Sequence, residues 1–181
     1  MLKITVPATE LFDENKNEFL YLKKSTTLTL EHSLVSISKW EQKWHKSFLG
    51  TKVKTKEEAI DYIRCMTLSQ NVDPLVYICL TEENVAEIKR YINDPATATT
   101  ISESAPRGQN KIITSEQIYS WMFALQIPME CQKWHINRLL TLIKVCEIQN
   151  NPKKTKMKLN EVMAKNTELN EARKARLHTT G

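Results

Sequence analysis

Apolar positions along this chain follow two different periods. Over the first thirty residues they alternate: Leu2, Ile4 and Val6 are separated by polar neighbours, and Phe19-Leu20-Tyr21-Leu22 and Thr27-Leu28-Thr29-Leu30 repeat the pattern on the far side of Asp13-Glu14-Asn15-Lys16-Asn17. A period of two is the spacing of side chains on one face of a strand, so residues 1–30 predict a small β-ribbon of two or three strands. A ribbon of that size is marginal by itself and needs helices or a partner beneath it.

From Ser33 onward the spacing lengthens to that of a helix. Leu34, Ile37, Trp40, Trp44 and Phe48 form one stripe, predicting a helix from Ser33 to Phe48 that ends before Gly50. Thr55-Lys56-Glu57-Glu58 reads as a capping box, in which threonine and the glutamate three residues on satisfy each other's free amides. It opens a helix with Ile60, Ile63 and Met66. Asp73-Pro74 starts a short segment through Leu80. Thr81-Glu82-Glu83 caps the run Val85, Ile88, Tyr91, Ile92, which Asp94-Pro95 stops because proline disfavours the α conformation in the residue before it. Residues 95–110 are small, polar and aperiodic, the pattern of a mobile loop. Lys111-Ile112-Ile113 suits a short strand, and Thr114-Ser115-Glu116-Gln117 is another capping box, opening a helix with Ile118, Trp121, Met122 and Leu125. A last body helix is expected from Pro128, with Ile136, Leu139, Leu140, Ile143 and Cys146 on one face.

After Asn150-Asn151-Pro152 apolar residues thin out and Ala, Glu, Lys and Arg dominate, giving helix propensity without enough apolar surface to pack. Only three glycines occur, at 50, 108 and 181, which disfavours turn-rich β folds. The expected fold is therefore mainly α: a helical body of five or so helices over residues 1–150, with the β-ribbon over 1–30, and a basic C-terminal tail over 151–181, helical or disordered.

Charge sharpens that division. The net charge is +5, and residues 151–181 carry eight basic and three acidic side chains, so the tail holds the whole excess. A neutral body lacks the basic face of a nucleic-acid-binding fold. The tail itself has three readings: a solvated appendage, a segment docking on a protein partner, or a phosphate contact without interleaved aromatic residues. No apolar stretch reaches the ~20 residues that span a bilayer, and no N-terminal apolar leader is present.

The chemistry-bearing residues are sparse. Cys65, Cys79, Cys131 and Cys146 are far apart and lack the C-x-x-C spacing, which fits reduced thiols in a cytoplasm-like compartment. Cys131 and His135 stand four apart on the expected last helix, but a structural zinc takes four ligands and none of the other histidines supplies ligand spacing. Glu57-Glu58 and Glu82-Glu83 lie in first helical turns, where the helix dipole accounts for them. Phosphate-loop, nucleophile-elbow and zinc-protease motifs are absent, so neither an enzyme, a cofactor nor a metal is expected. Four tryptophans remain to be placed. Trp40, Trp44 and Trp134 sit among lysines and histidines, where an indole serves either as core or as the edge of an interface. With Lys153, Lys154, Lys156, Lys158, Arg173, Lys174 and Arg176 of the tail, they are the candidate partner-binding residues.

Several runs together resemble a family of small proteins encoded in the structural gene clusters of tailed bacteriophages. They are Glu31 to Glu41 (EHSLVSISKWE), Asn71-Val72-Asp73-Pro74, the long stretch Ile113 to Cys146 (ITSEQIYSWMFALQIPMECQKWHINRLLTLIKVC) and the ending Leu169 to Arg176 (LNEARKAR). The run Gln132 to Leu140 (QKWHINRLL) is the most specific. Such proteins are similar to tail assembly chaperones, helical proteins that coat the tape measure protein while the tail tube polymerises. The resemblance implies binding to tape measure or other tail and connector proteins, compatibly with homo-oligomerisation, in the host cell cytoplasm. Its alternative is a structural component of the virion, such as a head–tail connector or tail protein. It carries over no site residue.

Overall fold

The computed structural model describes residues 1–13, 17–51, 54–100 and 113–150, together with Thr167 and Glu171; of Asp13 and Glu18 it describes the backbone only. The chain divides into two units, Met1–Glu147 and Ile148–Gly181. In the second, the described residues are the last three of a helix and two further helical positions, both exposed. The tail cations, residues 101–112 of the expected loop and short strand, and all of the expected tail apart from those two positions lie outside the described residues. Ile113, the last residue of that short strand, is not in a strand.

The first unit is mainly helical with an N-terminal β portion of four strands. Strand β1 (Leu2–Val6) pairs antiparallel with β4 (Thr26–Leu30), and β2 (Thr9–Asp13) pairs with β3 (Glu18–Leu22). The chain thus runs out and back as one long hairpin broken once. Pro7 lacks the amide that would extend the first ladder. Val6 faces Thr26 but Thr9 faces Leu22, so two residues on the outgoing arm oppose three on the return. That one-residue mismatch changes which side chains of the outgoing arm turn inward, because side chains alternate along a strand. Before the break Ile4, Val6, Leu28 and Leu30 are buried; beyond it Leu22 is buried while Phe12, Phe19 and Tyr21 are exposed.

Six α-helices follow among the described residues. Helix α1 (Leu34–Trp44) opens on a serine capping box, with Ser33 and Ser36 exchanging side-chain-to-backbone bonds. It ends four residues before the expected Phe48, because His45 takes the left-handed conformation (φ 53°, ψ 34°) and closes the last turn onto Glu41 O. The turn folds Phe48 back beneath the helix, where its ring lies 3.9 Å from that of Tyr62. Helices α2 (Lys56–Met66), α4 (Glu82–Asn93) and α5 (Ser115–Ala124) open on the boxes Thr55/Glu58, Thr81/Asn84 and Thr114/Gln117. The short α3 (Leu75–Ile78) follows Asp73-Pro74, and Asp94 ends α4 before Pro95.

The expected helix from Pro128 is instead two pieces. A 3-10 turn over Met129–Lys133 gives way to α6 (Ile136–Asn150) after Trp134, which is extended. The cause is tertiary. Ser33 and His135 bridge, and the Ile136 amide donates to His32 O at 2.7 Å, so pairing with the start of α1 overrides local helix propensity. Cys131 and His135 therefore stand on different elements and not on one helical face.

The core gathers Leu28 and Leu30 of the ribbon, Leu34, Ile37 and Trp40 of α1, Met66 of α2, Ile118 and Met122 of α5, and Ile136 and Leu139 of α6, each without exposed surface. One buried carboxylate ties two helices together. Glu41 Oε1 accepts from the Phe48 amide and Oε2 from the Ser115 amide, both at 2.7 Å, joining the turn after α1 to the first residue of α5. Glu41→Ala is expected to lower stability by about 2–3 kcal/mol by orphaning two buried amides. Urea denaturation checks this, and a loss within ±0.5 kcal/mol would show that the carboxylate is structurally idle. No helix among the described residues is long and apolar enough to cross a membrane.

Candidate partner-binding surfaces

The three candidate tryptophans occupy different environments. Trp40 is wholly buried (0 % exposed), its indole Nε1 donating to Glu58 O at 2.9 Å, and it meets Phe48 edge-on at 5.2 Å. It has no surface to offer a partner, which corrects its assignment as a binding residue. The physical reason is phase: Trp40 shares the core-facing stripe of Leu34 and Ile37. Trp44, one turn on, is half-buried; its Nε1 donates to Asp61 Oδ2 at 3.0 Å, and Lys43 donates to the other oxygen at 2.5 Å. Burial pushes the Asp61 carboxyl up, but the hydrogen bonds from Lys43 and Trp44 outweigh it and hold the group below the usual carboxylate range. Trp134, on the extended link before α6, is half-buried, and the Arg138 guanidinium lies 4.2 Å from its ring centre.

Trp134 borders a cavity of about 380 Å³ lined by Met1, Glu31, Tyr91, Ala96, Lys133, Trp134, His135 and Arg138. Its floor is a buried polar junction that sequence reasoning did not assemble. Glu31 Oε1 accepts from the Tyr91 hydroxyl at 2.6 Å, and Oε2 lies 3.0 Å from the Met1 nitrogen. His135 Nε2 lies 3.0 Å from Tyr91 O, and its ring meets that of His32 edge-on at 5.0 Å. His32 Nδ1 and the Tyr62 hydroxyl are hydrogen-bonded. Burial, then neighbouring His135 and Lys54, hold His32 down to about 3, so the imidazole is neutral at physiological pH. Burial likewise pushes the Tyr62 and Tyr91 hydroxyls well above the usual phenol range. The junction thus joins the end of β4, the start of α1, α2, α4 and the start of α6. Only the adjacency Glu31-His32 was visible in the sequence; its partners come from 30 to 103 residues away.

A second surface lies on the distal half of the ribbon. Register places Phe12 opposite Phe19 and Glu10 opposite Tyr21 on one face of β2–β3. Phe12, Phe19 and Tyr21 are 48 %, 55 % and 54 % exposed, with ring centres 4.9 Å apart for the phenylalanines and 6.3 Å for Phe19 and Tyr21. The opposite face carries Leu11 and Leu22 against the core. Apolar residues on both faces of a two-stranded ribbon were the available signal, since a core can cover only one of them. Tyr21 is also hydrogen-bonded to Glu10, which pushes its phenol up.

The four cysteines are free. Burial pushes the Cys65, Cys79 and Cys131 thiols up, the direction that disfavours a thiolate nucleophile. Among the described residues no group of three or more His, Cys, Asp or Glu side chains stands where it could hold a metal ion. In comparisons with known proteins, the chain matches no family model, no curated protein and no solved structure.

Proposed function

We propose that this protein is a non-catalytic binding protein of phage tail morphogenesis, an assembly chaperone or adaptor that holds a helical partner such as the tape measure protein. The observation that carries the binding reading is the Phe12–Phe19–Tyr21 face, three contiguous aromatic rings turned to solvent on a ribbon whose other face is already used by the core. Aromatic residues are enriched at interface hot spots, and clustered exposed apolar surface marks protein contacts. An amphipathic helix laid across such a face would bury its apolar stripe against the rings. The tail-assembly assignment rests on the sequence resemblance.

The test is a Phe12→Ser/Phe19→Ser variant expressed during infection. Both side chains are largely exposed, so the thermal midpoint is expected to stay within ~4 °C of the parent, the shift of about 1 kcal/mol. Copurification of the tape measure protein, identified by mass spectrometry, is expected to fall about 30-fold, the loss of a hot spot worth roughly 2 kcal/mol. The chaperone reading also requires absence from finished particles. Stoichiometric detection in purified virions would replace it with that of a structural component.

A further inference from the structure

We propose that the cavity beside Trp134 is a second docking site, one that takes an acidic side chain flanked by an apolar anchor from a protein partner. The inference rests on the protein-binding reading above and names the chemistry of the partner. Four observations carry it. First, the cavity holds about 380 Å³, room for one large side chain and part of its neighbour. Second, Lys133 and Arg138 are both exposed at its edge and neither is ion-paired with an acid among the described residues. Lys43 and Lys46, by contrast, are paired with Asp61 and Glu58. Third, Arg138 lies over the Trp134 ring at 4.2 Å. A guanidinium held on a ring face can still use its edge donors, and a planar fork of that kind receives a carboxylate in bidentate fashion. Fourth, the one carboxylate in the wall is already engaged: Glu31 takes the Tyr91 hydroxyl on one oxygen and the Met1 nitrogen on the other.

The site therefore combines a half-buried indole for apolar contact with two cations that no acid among the described residues pairs, above a buried polar floor. A basic or purely apolar partner would leave Lys133 and Arg138 desolvated and unpaired, which costs affinity. An amphipathic helix with glutamate beside leucine meets both demands.

The experiment follows the indole N–H signals of the full chain by NMR, with that of Trp134 identified by its loss in Trp134→Phe. Three end-capped amphipathic peptides are titrated in, of leucine with glutamate, glutamine or lysine. The glutamate peptide is expected to shift the Trp134 signal saturably. Affinity should fall at least tenfold in Lys133→Glu/Arg138→Glu and weaken as salt rises, and the lysine peptide should bind that charge-reversed chain and not the parent. Both substituted side chains are exposed, and circular dichroism confirms that the variant stays folded. An unmoved Trp134 signal, equal binding of the glutamine peptide, or unchanged affinity after charge reversal overturns the proposal. The two readings fail separately. A hairpin variant that loses the tape measure protein, with Trp134 unmoved by the acidic peptide, removes this site alone. A hairpin variant that keeps it removes the aromatic face and leaves the peptide result standing.

Discussion

Trp40→Ala is expected to cost about 3–5 kcal/mol of folding stability, the range for truncating a fully buried tryptophan. The side chain has 0 % exposure, so its whole volume becomes cavity, and the residues around it belong to rigid elements that collapse only partly. The Glu58 carbonyl loses its indole donor, and Phe48 loses an edge contact at 5.2 Å. Against a typical total of 5–15 kcal/mol, such a loss leaves a chain near its unfolding threshold. Trp40→Phe keeps most of the volume and forfeits mainly the hydrogen bond, so about 1–2 kcal/mol is expected. Urea denaturation of both variants checks the pair. A Trp40→Ala loss under about 1 kcal/mol would mean that the indole is not the core element described. The pair also separates folding from binding, since Trp40→Phe should retain full partner binding whereas Trp40→Ala loses it only through unfolding.

What the sequence made legible follows from where the governing interactions lie. The starts of α2, α4 and α5 were readable because Thr55, Thr81 and Thr114 act on residues three positions away. The stop at Asp94 was readable because proline acts on its neighbour. The end of α1 was not. Nothing local requires His45 to turn left-handed; the reversal is fixed by Glu41 reaching forward to the Phe48 amide and across to Ser115. The break at Trp134 and His135 escaped for the same reason, as Gln132 to Leu140 has helical composition and yields only because His32 and Ser33 offer backbone partners. Phase did not separate Trp40 from Trp44, since both fall on the stripe of Leu34 and Ile37; only the packing of α1 shows the first wholly buried and the second half-buried.

The binding surfaces were less legible still. The aromatic face depends on two residues of one arm opposing three of the other, a count that exists only once the strands are paired. The Trp134 cavity draws on Met1, Glu31, Tyr91 and Arg138, positions that no motif links. The alternation around Phe19 and Tyr21 told of a strand, and a strand apolar on both faces demands a second covering layer; that demand is the one trace of the hairpin surface that the residues themselves contained.

Lowering the pH from 7 to 4.5 is expected to remove about 3 kcal/mol of stability through His32 alone. In the folded chain this imidazole is 2 % exposed, hydrogen-bonded to Tyr62, edge-on to His135, and held down to about 3 by burial first and then by His135 and Lys54. In the unfolded chain it titrates near 6.5. Between those two values the unfolded state binds a proton that the folded state refuses, so stability rises with pH across the window and falls as acid is added. Each pH unit is worth about 1.4 kcal/mol, which gives about 3 kcal/mol by pH 4.5 and about 4 if the descent reaches 3, where the folded imidazole begins to take up the proton as well. Glu58 and Asp61 act lower down. Lys46 and the Thr55 amide hold Glu58 below its usual range, and the bonds from Lys43 and Trp44 overcome burial at Asp61. Their contribution is present above the ordinary carboxylate range and is lost as pH falls beneath it, so they steepen the curve only below about 4.5. His32→Gln retains a hydrogen-bonding partner for Tyr62 and removes the titration, so its stability should be nearly flat between pH 6.5 and 4.5. Denaturation midpoints of parent and variant at both pH values give the comparison, and an equally steep slope in His32→Gln would place the acid sensitivity elsewhere.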